Sequence, residues 1–293
     1  MWVCWLDEAL CQEVSWTGGK AANLSRLAAR QRIPPGFCLT TLAYAEWAAV
    51  SATGAIPAAF TDLLAGAYAE LARRTGQSAP AVAVRSSAVA EDGAAASFAG
   101  QYETFLNIVG VEALQAAVLR CWASAQMARV QAYQQRQGGG APTTTSLAVL
   151  VQAIVPADAS FVAFSANPVT GAADEVVINA SWGLGESVVS GTVTPDTFVV
   201  GKADRAIRSQ SIADKAWMTI PAPATVGAEA SAGVAVVAVP RFLRKQPALT
   251  PTQVAEVTDL ALTLATEMGW PVDLEGAFYD DKLYLLQCRP ITK

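Results

Sequence analysis

In the segment VDLEGAFYDDKLYLLQCRPI, two strand-like runs flank Asp280, Asp281 and Lys282. Side chains along a strand alternate with a period of two. If Asp280, Asp281 and Lys282 form a three-residue loop, Tyr279 faces Leu283, Glu275 faces Gln287 and Asp273 faces Arg289. A two-residue loop breaks that match. Asp273, Glu275, Gln287 and Arg289 then share one face, and Leu274, Phe278, Tyr284 and Leu286 the other. A carboxylate beside an amide oxygen is a hard-oxygen pair. It suits Mg2+, which takes one or two carboxylates and fills its remaining positions with water and phosphate oxygens. The same alternation also describes an ordinary hairpin with a solvated polar face.

Other groups with chemical potential lie earlier in the chain. AVAVRSSAVAED, residues 81–92, ends an apolar run on Arg85. An arginine is seldom left buried without a partner, so this one either closes an ion pair or reaches into a cleft to hold an anion. TGGKAANL sets Gly18 and Gly19 ahead of Lys20 at a helix start. Glycines permit close backbone approach and a helix N-terminus favours an anion, although the same residues also make an ordinary helix-start turn. The G-x-x-x-x-G-K-[ST] phosphate loop is absent. EDGAAASFAGQYET is a small-residue loop that holds Gly93 and Gly100, and ASWGLGESVVSG places three glycines around Glu186 without meeting G-x-G-x-x-G.

The sequence contains no histidine. Ser-His-Asp and Cys-His nucleophile pairs are therefore excluded, as are histidine-based metal sites and histidine as acid, base or phosphoryl carrier within these residues. Ser86 and Ser87 read as hydrogen-bonding groups, since no histidine exists to activate them. Chemistry here must rest on carboxylates, lysine, arginine, backbone amides and a hard cation.

The elements that must position these groups can be read from periodicity. Residues 1–148 are mixed with helix predominating: KAANLSRLAARQR, LAYAEWAAV, AAFTDLLAGAYAELARRTG and VEALQAAVLRCWASAQMARVQAYQQRQ are helical, the third ending at Gly76. GGGAPTTTS reads as the lobe boundary. Residues 149–293 lean toward strand, through SLAVLVQAIV, EVVINASWG, TFVVGK and GVAVVAVP. One helix interrupts them, TPTQVAEVTDLALTLATEMG, with Thr250 as N-cap before Pro251. The Ala/Pro/Gly-rich segment from about 221 to 233 reads as a surface loop.

At 293 residues the chain has material for one large domain or two lobes. It is 53% hydrophobic and 15% charged, with a mean hydropathy of +0.32, yet no run reaches the roughly 18 apolar residues of a membrane span. The acidic N-terminus is unlike a signal peptide, so a cytoplasmic protein is expected, with no membrane partner. A net charge of -5 argues against nucleic acid. The five cysteines are scattered without C-x-x-C, which suggests neither a disulfide framework nor zinc.

Taken in order, GGK-x-A-x-L, VRSSA-x-AED…SFAGQ-x-ET, Q-x-x-V…F-x-x-NPVTG, GLGE-x-VVSG-x-V-x-PD and D-[LI]-E…LY-x-LQ-x-RPIT resemble one family across essentially the whole chain. This is the nucleotide-binding domain of phosphoenolpyruvate synthase, pyruvate phosphate dikinase and rifampicin phosphotransferase. PPGFCLTTLAY is similar to the synthase and rifampicin branches. The resemblance implies an α/β (α+β), ATP-grasp-like fold of two lobes, 1–148 and 149–293, the second carrying a metal-binding hairpin. It implies ATP and Mg2+ as cofactors. The family chemistry turns ATP into AMP, with the β-phosphoryl passing to a histidine and the γ-phosphoryl to water or phosphate. By motif position, Lys20, Arg85 and Arg289 look like the catalytic phosphate-holding cations. Gly100 and Thr104 belong to the loop over the phosphates, and Gln152 to the strand whose edge reads adenine. Glu275 and Gln287 match the metal ligands.

Departures qualify the resemblance. With no histidine in the chain, the expected partner is a histidine-bearing swivelling domain, in cis or in trans, and the small-molecule acceptor is left open. A stand-alone ATP-dependent kinase or ligase of specialised metabolism is the alternative. Phe161 stands where the family usually has glycine, and is expected to narrow the cleft or alter the adjacent loop.

Overall fold

Among its 293 residues, the computed structural model describes 1–50, 57–89, 104–135, 146–222 and 233–291. The chain divides into two units, one formed by Met1–Arg30 and Pro34–Ile154, the other by Gln31–Ile33, Val155–Ala222 and Val234 onward. Each is an antiparallel sheet with helices against it, so the expected α+β class holds.

The first unit contains β1 (Val3–Trp5), α1 (Val14–Leu27), β2 (Gly36–Leu39), α2 (Thr41–Val50), α3 (Ala58–Thr75), β3 (Val82–Ala88), β4 (Thr104–Ile108), α4 (Val111–Gln135) and β5 (Leu147–Ala153). Its strands run in the order β1-β2-β5-β3-β4. β5, which the linker reading sets across the lobe boundary, pairs with β2 and β3 in this sheet. Every one of its residues is buried, as a continuous apolar run between two neighbours requires. Alternation sends Phe37, Leu39, Val82, Val84, Val149 and Val151 to one face, where they form a single core with Leu64, Leu71, Leu114 and Trp122 of the helices. The other face carries Cys38, Ala83, Arg85, Ser87, Leu150 and Gln152, by register. Helix α3 ends at Gly76 in the left-handed conformation, which glycine adopts without steric cost.

The second unit contains β6 (Ala159–Phe164), β7 (Glu175–Trp182), α5 (Glu186–Val189), β8 (Asp196–Gly201), β9 (Ile207–Ser211), β10 (Trp217–Pro221), β11 (Val234–Ala238), α6 (Pro251–Met268), β12 (Val272–Tyr279) and β13 (Lys282–Pro290). Six strands form a sheet in the order β13-β12-β6-β7-β8-β9, and β10-β11 form a separate ribbon. Helix α6 begins as its sequence predicts. Thr250 accepts a hydrogen bond from the Gln253 amide, and the Gln253 side chain accepts one from the Thr250 amide. Its apolar stripe, Val254, Val257, Ala261 and Leu264, is buried, and it packs on β6, β7 and β12.

The sheet is consequently two-faced. Leu274, Ala163, Ile178 and Phe198 lie on one buried face; Glu275, Val162, Asn179 and Thr197, one residue along each strand, are only half-buried. Phe161 belongs to the buried face: it is 1% exposed and packs on Phe278, ring centroids 5.9 Å apart. A Cβ on Gly276 would lie 2.2 Å from the Phe161 ring, so the glycine makes room for the aromatic. The expectation that Phe161 narrows a cleft is corrected, because β6 turns its side chain away from the Glu275 face.

One buried pair joins the last residue of the GLGE-x-VVSG-x-V-x-PD motif to a lysine that no motif marks. Lys215 and Asp196, both fully buried, meet at 2.6 Å. Asp196 also accepts from the Ala213 and Ala248 amides, and so ties β8 to two distant segments.

Candidate functional site

The C-terminal hairpin reaches the expected polar pairing by a route the sequence did not reveal. Tyr279 pairs with Lys282, so the loop is Asp280-Asp281 alone. Both residues have positive φ, 51° and 54°. This is the backbone of the two-residue turn that matches strand twist, and aspartate tolerates it better than most side chains. By itself the shorter loop would misalign Glu275 and Gln287. A β-bulge corrects the register: Gly276 pairs with Leu285 but Glu275 pairs with Gln287, with Leu286 the extra residue. Glu275–Gln287 and Asp273–Arg289 are then opposite one another. The expected companions on the other face change. Leu283, Leu285 and Cys288 join Leu274 and Phe278 there, while Tyr284, paired with Ala277, lies on the face of Glu275.

The side chains on this face interact. Gln287 Nε2 donates to Glu275 Oε1 at 3.0 Å, which orients the amide and brings its oxygen-bearing group beside the carboxylate. Arg289 Nε donates to Asp273 Oδ2 at 2.8 Å. Asp273 is 7% exposed, and burial pushes its carboxyl above the ordinary range; Arg289 opposes the shift and Glu275 adds to it. Glu275 and Gln287 thus offer the hard-oxygen donors that Mg2+ prefers, with a guanidinium one register step away. Across the sheet, the register row continues from Glu275 through Val162 and Asn179 to Thr197. Thr197 Oγ1 donates to Asn179 Oδ1 at 2.9 Å. No sequence motif singled out these two residues.

In the first unit, Lys20, Arg85, Thr104 and Gln152 come from four elements. Arg85 pairs with Leu150 on one side and Thr104 on the other, so Arg85 and Thr104 share a face. Gln152, opposite Ala83, lies one step along on that same face. Its side chain is buried and its amide donates to the Pro34 carbonyl at 3.3 Å. Helix α1 docks against this face. Gly18, at φ 72°, interrupts the helix, and a Cβ there would lie 2.2 Å from the Ser87 carbonyl oxygen. Ser87 Oγ accepts from the Ala21 amide at 3.3 Å, and Lys20 Nζ donates to the Ser86 carbonyl at 3.1 Å. The GGK and RSS segments are one construction: glycine allows contact, serine caps the resumed helix, and lysine lands beside the arginine strand. Gly100 lies outside the described residues.

The family profile described as "Pyruvate phosphate dikinase, AMP/ATP-binding domain" matches residues 49–293. The phosphoenolpyruvate synthase of Pyrococcus furiosus is 35% identical, over 98% of this chain and 43% of its own length. The rifampicin phosphotransferase of Streptomyces sviceus is 35% identical over 98% of this chain and 35% of its own. The prodigiosin synthesizing transferase of Serratia marcescens is 36% identical over 94% and 31% respectively. The chain spans less than half the length of these relatives.

Proposed function

This chain belongs to the family of pyruvate phosphate dikinase AMP/ATP-binding domains, and from that premise we propose that it is the ATP-cleaving part of a phosphotransferase. In the proposed reaction ATP, a histidine side chain and water give AMP, phosphohistidine and phosphate. The histidine comes from another domain or chain, because this one has none. The observation that carries the reading is the C-terminal hairpin, where a bulge restores Glu275 to Gln287 and Asp273 to Arg289 on one face of the sheet.

The proposed roles follow from chemistry. Lys20, Arg85 and Arg289 are the cations proposed to hold phosphate oxygens and spread the charge that moves during transfer. Guanidinium groups suit this task because they stay charged and bind oxygens in a fork. Asp273 fixes the Arg289 fork by its 2.8 Å hydrogen bond. Glu275 and Gln287 are the residues that would hold Mg2+, which when bound neutralises phosphate charge. Thr104 and Gly100 belong to the phosphate-covering segment. Gln152 is assigned to the adenine end through its strand, its side chain being turned onto Pro34.

Titration of the chain with Mg·ATP in a calorimeter, followed by phosphorus NMR of the same sample, tests the proposal. Binding, with AMP and phosphate appearing only when a histidine-bearing domain of the family is added, supports it. Turnover with a small acceptor and no added protein would favour a stand-alone kinase or ligase, an alternative to which the likeness to a biosynthetic transferase gives weight. No binding of Mg·ATP overturns both.

A further inference from the structure

We propose that Asn179 is an additional phosphate-binding residue, held for that task by Thr197. The inference rests on the ATP reading above and concerns the second unit alone. Asn179 and Thr197 stand in the register row of Gln287 and Glu275, on the sheet face not covered by α6. Asn179 is two strands from Glu275, about 10 Å at the usual strand spacing. Val162, half-buried, fills the position between them and presents no polar group. An asparagine in mid-strand is disfavoured by β propensity, so its presence needs a reason. Its surroundings supply one. Thr197 Oγ1 donates to Asn179 Oδ1, which engages the acceptor end of the amide and leaves the NH2 end to donate. That nitrogen makes no hydrogen bond among the described residues.

A donor group presented this way suits a ligand group that only accepts. Phosphate oxygens are such acceptors, whereas sugar hydroxyls also donate. With the metal end of a polyphosphate at Glu275 and Gln287, Asn179 meets an oxygen of the chain remote from the metal. Thr197 acts as a positioning residue, since it reaches the ligand only through Asn179.

The test compares Mg·ATP affinity by calorimetry for the intact chain and the variants Asn179→Ala, Asn179→Asp, Thr197→Val and Asn179→Ala/Thr197→Val, with urea midpoints measured alongside. Asn179→Ala should weaken binding by about 10-fold, the scale of one hydrogen bond to a charged group. Asn179→Asp should weaken it further, because a carboxylate repels phosphate. Thr197→Val should weaken binding in the native background and have no added effect on Asn179→Ala. Unchanged affinity in Asn179→Asp overturns the proposal, as a carboxylate still serves a sugar hydroxyl. So does loss of affinity that tracks a fall in the urea midpoint. If the unaltered chain fails to bind Mg·ATP, the ATP reading itself falls and this inference with it. If it binds and Glu275→Ala abolishes binding while the Asn179 variants bind as tightly as the unaltered chain, only this inference falls.

Discussion

Arg85 and Gly18 show how much depends on single side chains in this fold. Arg85 stands in the middle of β3, not at its end, on the face where α1 delivers Lys20. Arg85→Ala is expected to weaken Mg·ATP binding at least 10-fold, with little change in stability, read by calorimetry and urea unfolding. Arg85→Lys should recover only part of the loss, since an ammonium lacks the guanidinium fork. Gly18→Ala is a different kind of lesion. The added Cβ meets the Ser87 backbone at 2.2 Å, at a φ of 72° that other residues seldom adopt. A destabilisation of at least about 1–3 kcal/mol is expected from the backbone conformation alone, seen as a lower urea midpoint. That Lys20 and Arg85 are candidate site residues was legible in the sequence, because GGK and VRSSA are local patterns. That α1 brings Lys20 onto the strand of Arg85 was not, since the two segments lie far apart in the chain and come together only when Gly18 seats on Ser87.

At the scale of elements, the hairpin and its neighbouring strand make the most specific claims. Phe161 fills the space beneath α6 and above Gly276. Phe161→Ala should cost about 3–5 kcal/mol of stability, as for other buried aromatics. It should leave Mg·ATP affinity near its native value, because Glu275 and Gln287 point the other way. A large drop in affinity at preserved stability would contradict the assignment of faces. Helix α3 carries a pH-sensitive end. Glu70 accepts from Arg73 and Arg74, at 2.7 and 2.8 Å, and these hydrogen bonds lower its pKa from 4.5 to about 2. A carboxyl depressed in the folded state stabilises above its unfolded pKa and loses that contribution as pH falls through the folded one. Unfolding midpoints should therefore fall between pH 4.5 and 2 more steeply in the native chain than in Glu70→Gln. Caps and turns of this kind were readable in advance: Thr250 and Gly76 sit where the helix-start and helix-stop rules put them. The bulge at Leu286 was not, since no residue type marks it and only pairing with β12 and packing under α6 require it.

Taken as a whole, the molecule keeps its reactive sulfur inside. All five cysteines are buried and none forms a disulfide. A thiol reagent should therefore label none rapidly in the native chain and five after unfolding; rapid native labelling would contradict this burial. Among the described residues, no helix is long and apolar enough to cross a membrane. Some of the apolar excess of the composition lies in the β10-β11 ribbon and the turn after it, where Trp217, Val236 and Phe242 are exposed. The sequence by itself determined the helices and their caps, the buried strand of β5, the lack of any histidine chemistry and the order of motifs that marks the family. Each of these rests on residue type or short-range spacing, which the chain carries whether folded or not. The tertiary structure alone decided which face Phe161 occupies, that Glu275 meets Gln287 despite a two-residue turn, and that Asn179 joins their row. The physical reason is that strand faces are set by register. Register is fixed by hydrogen bonding between segments distant in sequence, and a single extra residue reverses it.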